Sequence, residues 1–204
     1  MKCKKIIGLT GSIATGKSTV ARLLSDLGYQ VVDADRIGHE LMEKGNANYQ
    51  EIVTYFGDEI LSQDGQIDRN KLGQIVFSSE QDLKLLNKIS HKNIFHKIND
   101  IIEKSQEDTI FVELPLLIEL KNQGKLRLNL DEIWLVYVNQ DLQLERLIKR
   151  NGFTEDEAIK RIKSQLSVEE KKEHADFVLY NDKDVNFLKT QILKRLEIKD
   201  ESTD

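Results

Sequence analysis

The 204-residue chain has one cysteine, Cys3, one proline, Pro115, and one tryptophan, and no apolar run approaches the length needed to cross a bilayer. A single cysteine excludes an internal disulfide framework and a cysteine-built zinc site. That pattern suits a reducing compartment, so the expected location is the cytoplasm, with no membrane association. The four histidines, His39, His91, His96 and His174, form no H-E-x-x-H pair, and the five-residue spacing of His91 and His96 is poor for chelation on a helix. Basic charge is not in excess either. The balance of 30 Lys and Arg against 35 Asp and Glu gives −5, which argues against a general nucleic-acid binder. Any anionic ligand must therefore be met by a local device. With only 11 glycines and the lone proline there is no linker-like stretch, and no internal repeat is visible.

The local device is Gly11-Ser12-Ile13-Ala14-Thr15-Gly16-Lys17-Ser18, which fits G-x-x-x-x-G-K-[ST]. It follows Lys4–Thr10, which reads as a short buried strand, so the lysines near the N-terminus do not begin a signal peptide. After Lys17 the apolar residues Val20, Leu23, Leu24 and Leu27 fall at helical spacing, and Gly28 is placed to end that helix in a left-handed cap. A strand, a glycine-flanked loop and a helix N-terminus are the parts of a phosphate cradle, whose inward N–H groups meet an anion. In such a loop Lys17 reaches the β- and γ-phosphates and the Ser18 hydroxyl meets Mg²⁺. Thr15 and Thr19 can add hydroxyl contacts. A nucleoside triphosphate, ATP in a kinase, is the ligand this implies.

Four further apolar runs read as strands: Gln30–Val32, Thr109–Val112, Glu132–Val138 and Phe177–Tyr180. Runs apolar on both faces, alternating with helical segments, predict an α/β fold with a five-stranded parallel sheet. Between Asp35 and Glu107 helical spacing takes over, which predicts a helical insertion at 35–107. There Ser78 with Gln81 reads as a capping box for the longest helix, and Asp64-Gly65 as a turn. A second small helical unit, at 141–166, carries Gln143, Arg146 and Arg150 on one face, breaks at Asn151-Gly152, and restarts with a Thr154/Glu157 capping box. It reads as a lid. The core is left with 1–34, 108–140 and 167–198, and 199–204 reads as a frayed polar tail.

Asp33 and Asp35 follow the second strand at the carboxyl end of the sheet, where ligands gather. Phosphoryl transfer uses a carboxylate to orient an acceptor hydroxyl or take its proton, and Asp33 is the choice for that role. The alternative is that these residues only cap the next helix. Glu113 ends the third strand, where it either holds Mg²⁺ through water or is an ordinary solvated strand end. Arg146 and Arg150 either stabilise charge on the transferring group or form a solvated basic face.

These residues together resemble the dephospho-CoA kinase family from Ile6 to Asn181. The likeness lies in Ile7–Gly11 leading into Gly16–Ala21, in Val32-Asp33-Ala34-Asp35, in Asp64–Arg69, in Leu86-Asn87 with His91, in Leu114–Leu117 with Glu119, in Gln143–Arg146 with Arg150, in Arg161-Ile162 with Gln165, and in Ala175-Asp176 with Asn181. The resemblance implies a nucleoside monophosphate kinase-like fold and ATP-dependent phosphorylation of the ribose 3′-hydroxyl of dephospho-CoA. It implies Asp33 as base, with Asp35, Arg69 and His91 on the acceptor and Pro115 and Leu116 shaping its cleft. Arg146 and Arg150 would belong to the lid, and Asn181 to the adenine end of the ATP site. Two positions depart from the family pattern. Ser12 replaces a common glycine, and Lys92 stands where proline usually follows the histidine. The resemblance implies a monomer or small homo-oligomer with a small-molecule partner. A shikimate- or gluconate-type P-loop kinase is the alternative. A regulatory GTPase lacks its N-K-x-D motif, since Asn181-Asp182-Lys183-Asp184 has the wrong order, and intact Lys17, Ser18 and Asp33 argue against a degenerate loop.

Overall fold

In the computed structural model the described residues are 4–197, so Cys3 and the expected tail at 199–204 lie outside them. The apolar runs form five strands: β1 (Lys5–Thr10), β2 (Gln30–Asp33), β3 (Thr109–Glu113), β4 (Glu132–Tyr137) and β5 (Phe177–Tyr180). They lie in one sheet of order β2-β3-β1-β4-β5, with β1 parallel to β3 and β4, and β4 parallel to β5. The helices are α1 (Lys17–Asp26), α2 (Ala34–Leu41), α3 (Ala47–Phe56), α4 (Arg69–Ser78), α5 (Glu80–Lys104), α6 (Leu117–Asn122), α7 (Gln140–Asn151), α8 (Glu155–Lys163), α9 (Val168–Lys172) and α10 (Val185–Arg195). Among the described residues no helix is long and apolar enough to cross a membrane.

The chain divides into two compact units, one of residues 1–32 and 106–204, the other of residues 33–105. In the strand-bearing unit Ile7 and Leu9 of β1, Trp134 and Val136 of β4, and Leu179 of β5 pack against Val20 and Leu24 of α1 and Leu188 and Ile192 of α10. An aromatic row crosses this face: Tyr29 to Phe111, Phe111 to Trp134, and Trp134 to Phe177, with ring centroids 5.5, 5.1 and 5.0 Å apart and edge-to-face geometry. Such pairs add about 0.5–1.5 kcal/mol each beyond burial. On β1, Gly8 has no side chain for a reason. A Cβ there would stand 2.4 Å from Leu117 Cδ1. As its sequence position predicts, Gly28 adopts φ +88° just past α1.

The helical unit closes around Ile52, Phe56, Ile60, Leu72, Val76 and Ile89. Its longest helix, α5, is capped by Ser79, which accepts from the Asp82 N–H, and not by Ser78. Ser78 is the last residue of α4, and its hydroxyl bonds back to the Ile75 carbonyl, so it is spent inside the preceding helix. Gly65 turns the chain at φ +75°, and the expected Thr154/Glu157 capping box opens α8.

Candidate active site

The phosphate loop leaves β1 at Thr10 and enters α1 at Lys17. The Thr15 hydroxyl and N–H both bond to the Ser12 carbonyl, at 2.9 and 3.3 Å. Ala14 takes φ +61° and Gly16 φ +90°. Ser12 does not adopt a positive φ, so the departure from glycine there strains nothing. Its hydroxyl instead bonds the Leu166 carbonyl. Gly16 caps α1 with no side-chain bond, and the first turn carries no acidic residue. Its N–H groups and dipole therefore favour an anion.

Lys17 is ion-paired with Glu113 at the end of β3, and both side chains are largely buried. Glu113 is thus not the solvated strand end that sequence reading held open; it is 8% exposed and serves as the lysine's counter-ion. Asn181 is buried and donates its amide to the Thr15 carbonyl at 2.9 Å, so it braces the loop. The fit is close enough that a Cβ on Gly16 would lie 2.0 Å from Asn181 Nδ2. The Pro115 carbonyl accepts from the Thr10 hydroxyl at 3.1 Å and from Lys171 Nζ at 3.0 Å. The next residue, Leu116, presents an exposed apolar side chain.

Residues to which sequence reading gave no role complete this environment. Lys171 is fully buried, paired with Glu119 at 2.8 Å. Burial lowers its pKa, the Glu119 carboxylate opposes that, and the nearby Lys17 charge adds to the lowering. Glu119 also accepts from the Leu166 N–H at 3.1 Å. Gln143 donates to the Ile13 carbonyl and Gln165 accepts from the Ile13 N–H. The Gln143–Arg146–Arg150 spacing marks this face of α7, and of the three only Gln143 is fully buried.

On α7, Arg146 is half-buried and Arg150 exposed, its Nε donating to Asn151. Neither forms a salt bridge among the described residues. The hairpin of α7 and α8 closes on Leu147, Ala158 and Ile162, against which Ile13 and Ala14 of the phosphate loop also pack.

The other expected site residues belong to the helical unit. Asp33 ends β2 and caps α2, its Oδ1 accepting from the Arg36 N–H at 3.0 Å. The capping role that sequence reading left open therefore falls to Asp33, while Asp35 stands exposed in the first turn. Arg69 is the exposed first residue of α4, next to its cap Asp68. His91 lies on α5 with its ring 6.3 Å from that of Phe95. Lys92, the next residue, pairs with Glu51 on α3 at 3.2 Å, and Asn93 donates to the same carboxylate.

For a divalent ion the oxygen donors that the sequence offers are the Ser18 hydroxyl, exposed in the first turn of α1, and the Glu113 carboxylate, which Lys17 engages here. Among the described residues no group of three His, Cys, Asp or Glu could hold a metal. A hydroxyl and one carboxylate fit Mg²⁺, which keeps several waters and takes its remaining ligands from phosphates.

The family model for dephospho-CoA kinase matches residues 5–186. A dephospho-CoA kinase of Carboxydothermus hydrogenoformans is 45% identical over 94% of this chain and 93% of its own length. Among solved structures, TT1252 from Thermus thermophilus aligns with TM-score 0.81 and 31% identity over 96% of this chain and 97% of its own. A dephospho-CoA kinase from Campylobacter jejuni aligns at TM-score 0.67 and 29% identity, covering 95% and 96%.

Proposed function

The chain belongs to the dephospho-CoA kinase family, and from that premise we infer that it moves the γ-phosphoryl group of ATP to the ribose 3′-hydroxyl of dephospho-CoA, giving coenzyme A and ADP. It is a transferase of coenzyme A biosynthesis. The observation that carries the acceptor assignment is the extent of the match, which runs through the whole of the helical unit as well as the phosphate loop. A shikimate- or gluconate-type acceptor is not favoured.

In this reading residues 35–107 bind the acceptor, 141–166 form the lid, and 1–34, 108–140 and 167–198 form the nucleotide core. The loop amides of residues 11–19 and Lys17 hold the phosphates. Lys17 leaves Glu113 to do so, which releases the carboxylate. Ser18 and Glu113 would hold Mg²⁺, which would supply neutralisation of phosphate charge. Asp33 takes or orients the acceptor hydroxyl proton. Its Oδ1 is engaged by Arg36 N–H, which leaves Oδ2 for that task. Arg146 and Arg150, without acidic partners among the described residues, stabilise charge on the transferring group. Asp35, Arg69, His91, Pro115 and Leu116 contact dephospho-CoA, and Asn181 sits toward adenine. The cytoplasm is the proposed location.

The test is Mg²⁺-dependent ADP release from ATP with dephospho-CoA, adenosine monophosphate, shikimate or gluconate as acceptor. Stimulation by dephospho-CoA, with a product one phosphate heavier at the ribose, is the expected result. Turnover with shikimate or gluconate and none with dephospho-CoA would discard the acceptor assignment.

A further inference from the structure

One residue of the phosphate loop is held from both sides by the α7/α8 hairpin. The Ile13 N–H donates to Gln165 Oε1 at 3.0 Å, and the Ile13 carbonyl accepts from Gln143 Nε2 at 2.8 Å. The loop's own bond, from Thr15 N–H to the Ser12 carbonyl, passes Ile13 by. Gln143 is 1% exposed on α7, and Gln165 follows α8, so the two glutamines come from the two ends of the hairpin. A third tie joins the Ser12 hydroxyl to the Leu166 carbonyl at 3.3 Å, and the side chains of Ile13 and Ala14 enter the hairpin's apolar core. Ala14, the next residue, has φ +61°, a conformation an L-residue keeps only when its surroundings impose it.

We propose that Gln143 and Gln165 are positioning residues that fasten the α7/α8 hairpin to the phosphate loop, so that nucleotide in the loop sets the position of the hairpin. The consequence for chemistry follows from helical spacing. Arg146 and Arg150 lie three and seven residues after Gln143 on the same face of α7, so the bond to Ile13 fixes the register in which both guanidinium groups are presented. This step rests on the ATP-site reading above.

The polarity of the two bonds provides the test, because a peptide N–H can only donate and a peptide carbonyl can only accept. Gln165→Glu keeps an acceptor for the Ile13 N–H, whereas Gln143→Glu removes the donor to the Ile13 carbonyl. Each adds one negative charge beside the same residue. Gln143→Met removes the bond without charge. The measurement is hydrogen exchange of the α7 and α8 amides with and without Mg²⁺ and a non-hydrolysable ATP analogue, with analogue affinity from calorimetry. Nucleotide should slow hairpin exchange in the parent and in Gln165→Glu, and not in Gln143→Met or Gln143→Glu. Gln143→Met should bind the analogue within about threefold of the parent while kcat falls by roughly tenfold or more. A purely structural role would lower thermal stability and leave nucleotide-dependent protection and kcat intact. That result in Gln143→Met, or identical behaviour of the two glutamate variants, would overturn the proposal. If Gln143→Glu does not fold, Gln143→Met against Gln165→Glu makes the same comparison. A parent that binds the analogue without hairpin protection overturns this inference alone. A parent that binds no nucleotide overturns the ATP-site reading and this inference with it.

Discussion

Two ion pairs, one buried and one exposed, show how differently the two units of this molecule use charge. In the strand-bearing unit Lys171 is wholly withdrawn from solvent, paired with Glu119 and bonded to the Pro115 carbonyl. In the helical unit Lys92 is two-thirds exposed where it meets Glu51. The same contrast holds for the site residues. Lys17, Asn181, Gln143 and Gln165 are each committed to a partner in or beside the phosphate loop. Asp35 and Arg69 of the helical unit stand in solvent. A phosphate cradle must be organised before its ligand arrives, because its electrostatic value depends on dipoles already aimed. The residues proposed for the acceptor would meet a larger and more flexible molecule. Their positions tolerate freedom that the loop does not.

The sharpest way to break this contrast is to remove one charge from each side of the reaction. Lys17→Ala deletes the phosphate cation and leaves Glu113 buried without its partner. Turnover should fall by roughly 10²–10³ or more, with ATP affinity falling too, as steady-state kinetics and calorimetry would read. Asp33→Asn should behave differently. Asparagine can still cap α2 through its side-chain oxygen, so folding is kept while the carboxylate is lost. Turnover should drop by ~10²–10⁴ with ATP binding retained. Near-parental turnover in Asp33→Asn would remove Asp33 from the role of base.

The next effect concerns stability. Lys171→Met leaves Glu119 as a buried charge whose cation is gone, at a cost of about 3–5 kcal/mol. Lys92→Ala should cost about 0–1 kcal/mol, as exposed pairs do. Urea unfolding of the two variants measures both. If the two costs are equal, burial is not what separates the units. The double variant Lys171→Met with Glu119→Leu should recover much of the loss, since no charge is then stranded.

Why the first of these pairs was hidden in the sequence, and the loop was not, has a physical explanation. The phosphate loop is contiguous, so its function is written in eight neighbouring residues, and the strands around it are apolar runs whose ends were legible to within about a residue. Lys171 sits in Val-Glu-Glu-Lys-Lys-Glu, a stretch with the composition of a solvated helix. Only tertiary packing tells its two lysines apart. Gln143 and Gln165 bond to a residue some 130 and 152 positions away, and nothing in their own neighbourhoods encodes that. The cap of α5 lies one position beyond Ser78, although Ser78 and Ser79 are adjacent and equally able to cap. What decides is that α4 runs through Ser78. Likewise Asp33 and Asp35 are equivalent caps on paper, and the length of β2 selects Asp33.

The smallest effect belongs to the opposite end of the sheet from the phosphate loop, where Glu132 opens β4. Its carboxylate receives Lys5 Nζ at 2.6 Å, Trp134 Nε1 at 2.8 Å and Arg195 Nη2 at 2.8 Å. Burial pushes this carboxyl upward, but the three donors prevail and hold its pKa at about 2, against an ordinary 4.5. A folded pKa below the unfolded one means that the unfolded chain takes up the proton first. The stabilisation is therefore complete above about pH 4.5 and is lost as pH falls toward 2. Glu132→Gln keeps the size and one acceptor oxygen but does not titrate, so its stability should fall less steeply between about pH 5 and 3 than that of the parent. Parallel profiles would mean that other carboxylates carry the acid sensitivity. A flatter profile in the variant, with unchanged turnover at neutral pH, would show that this pole holds charge for stability while the phosphate pole holds it for chemistry.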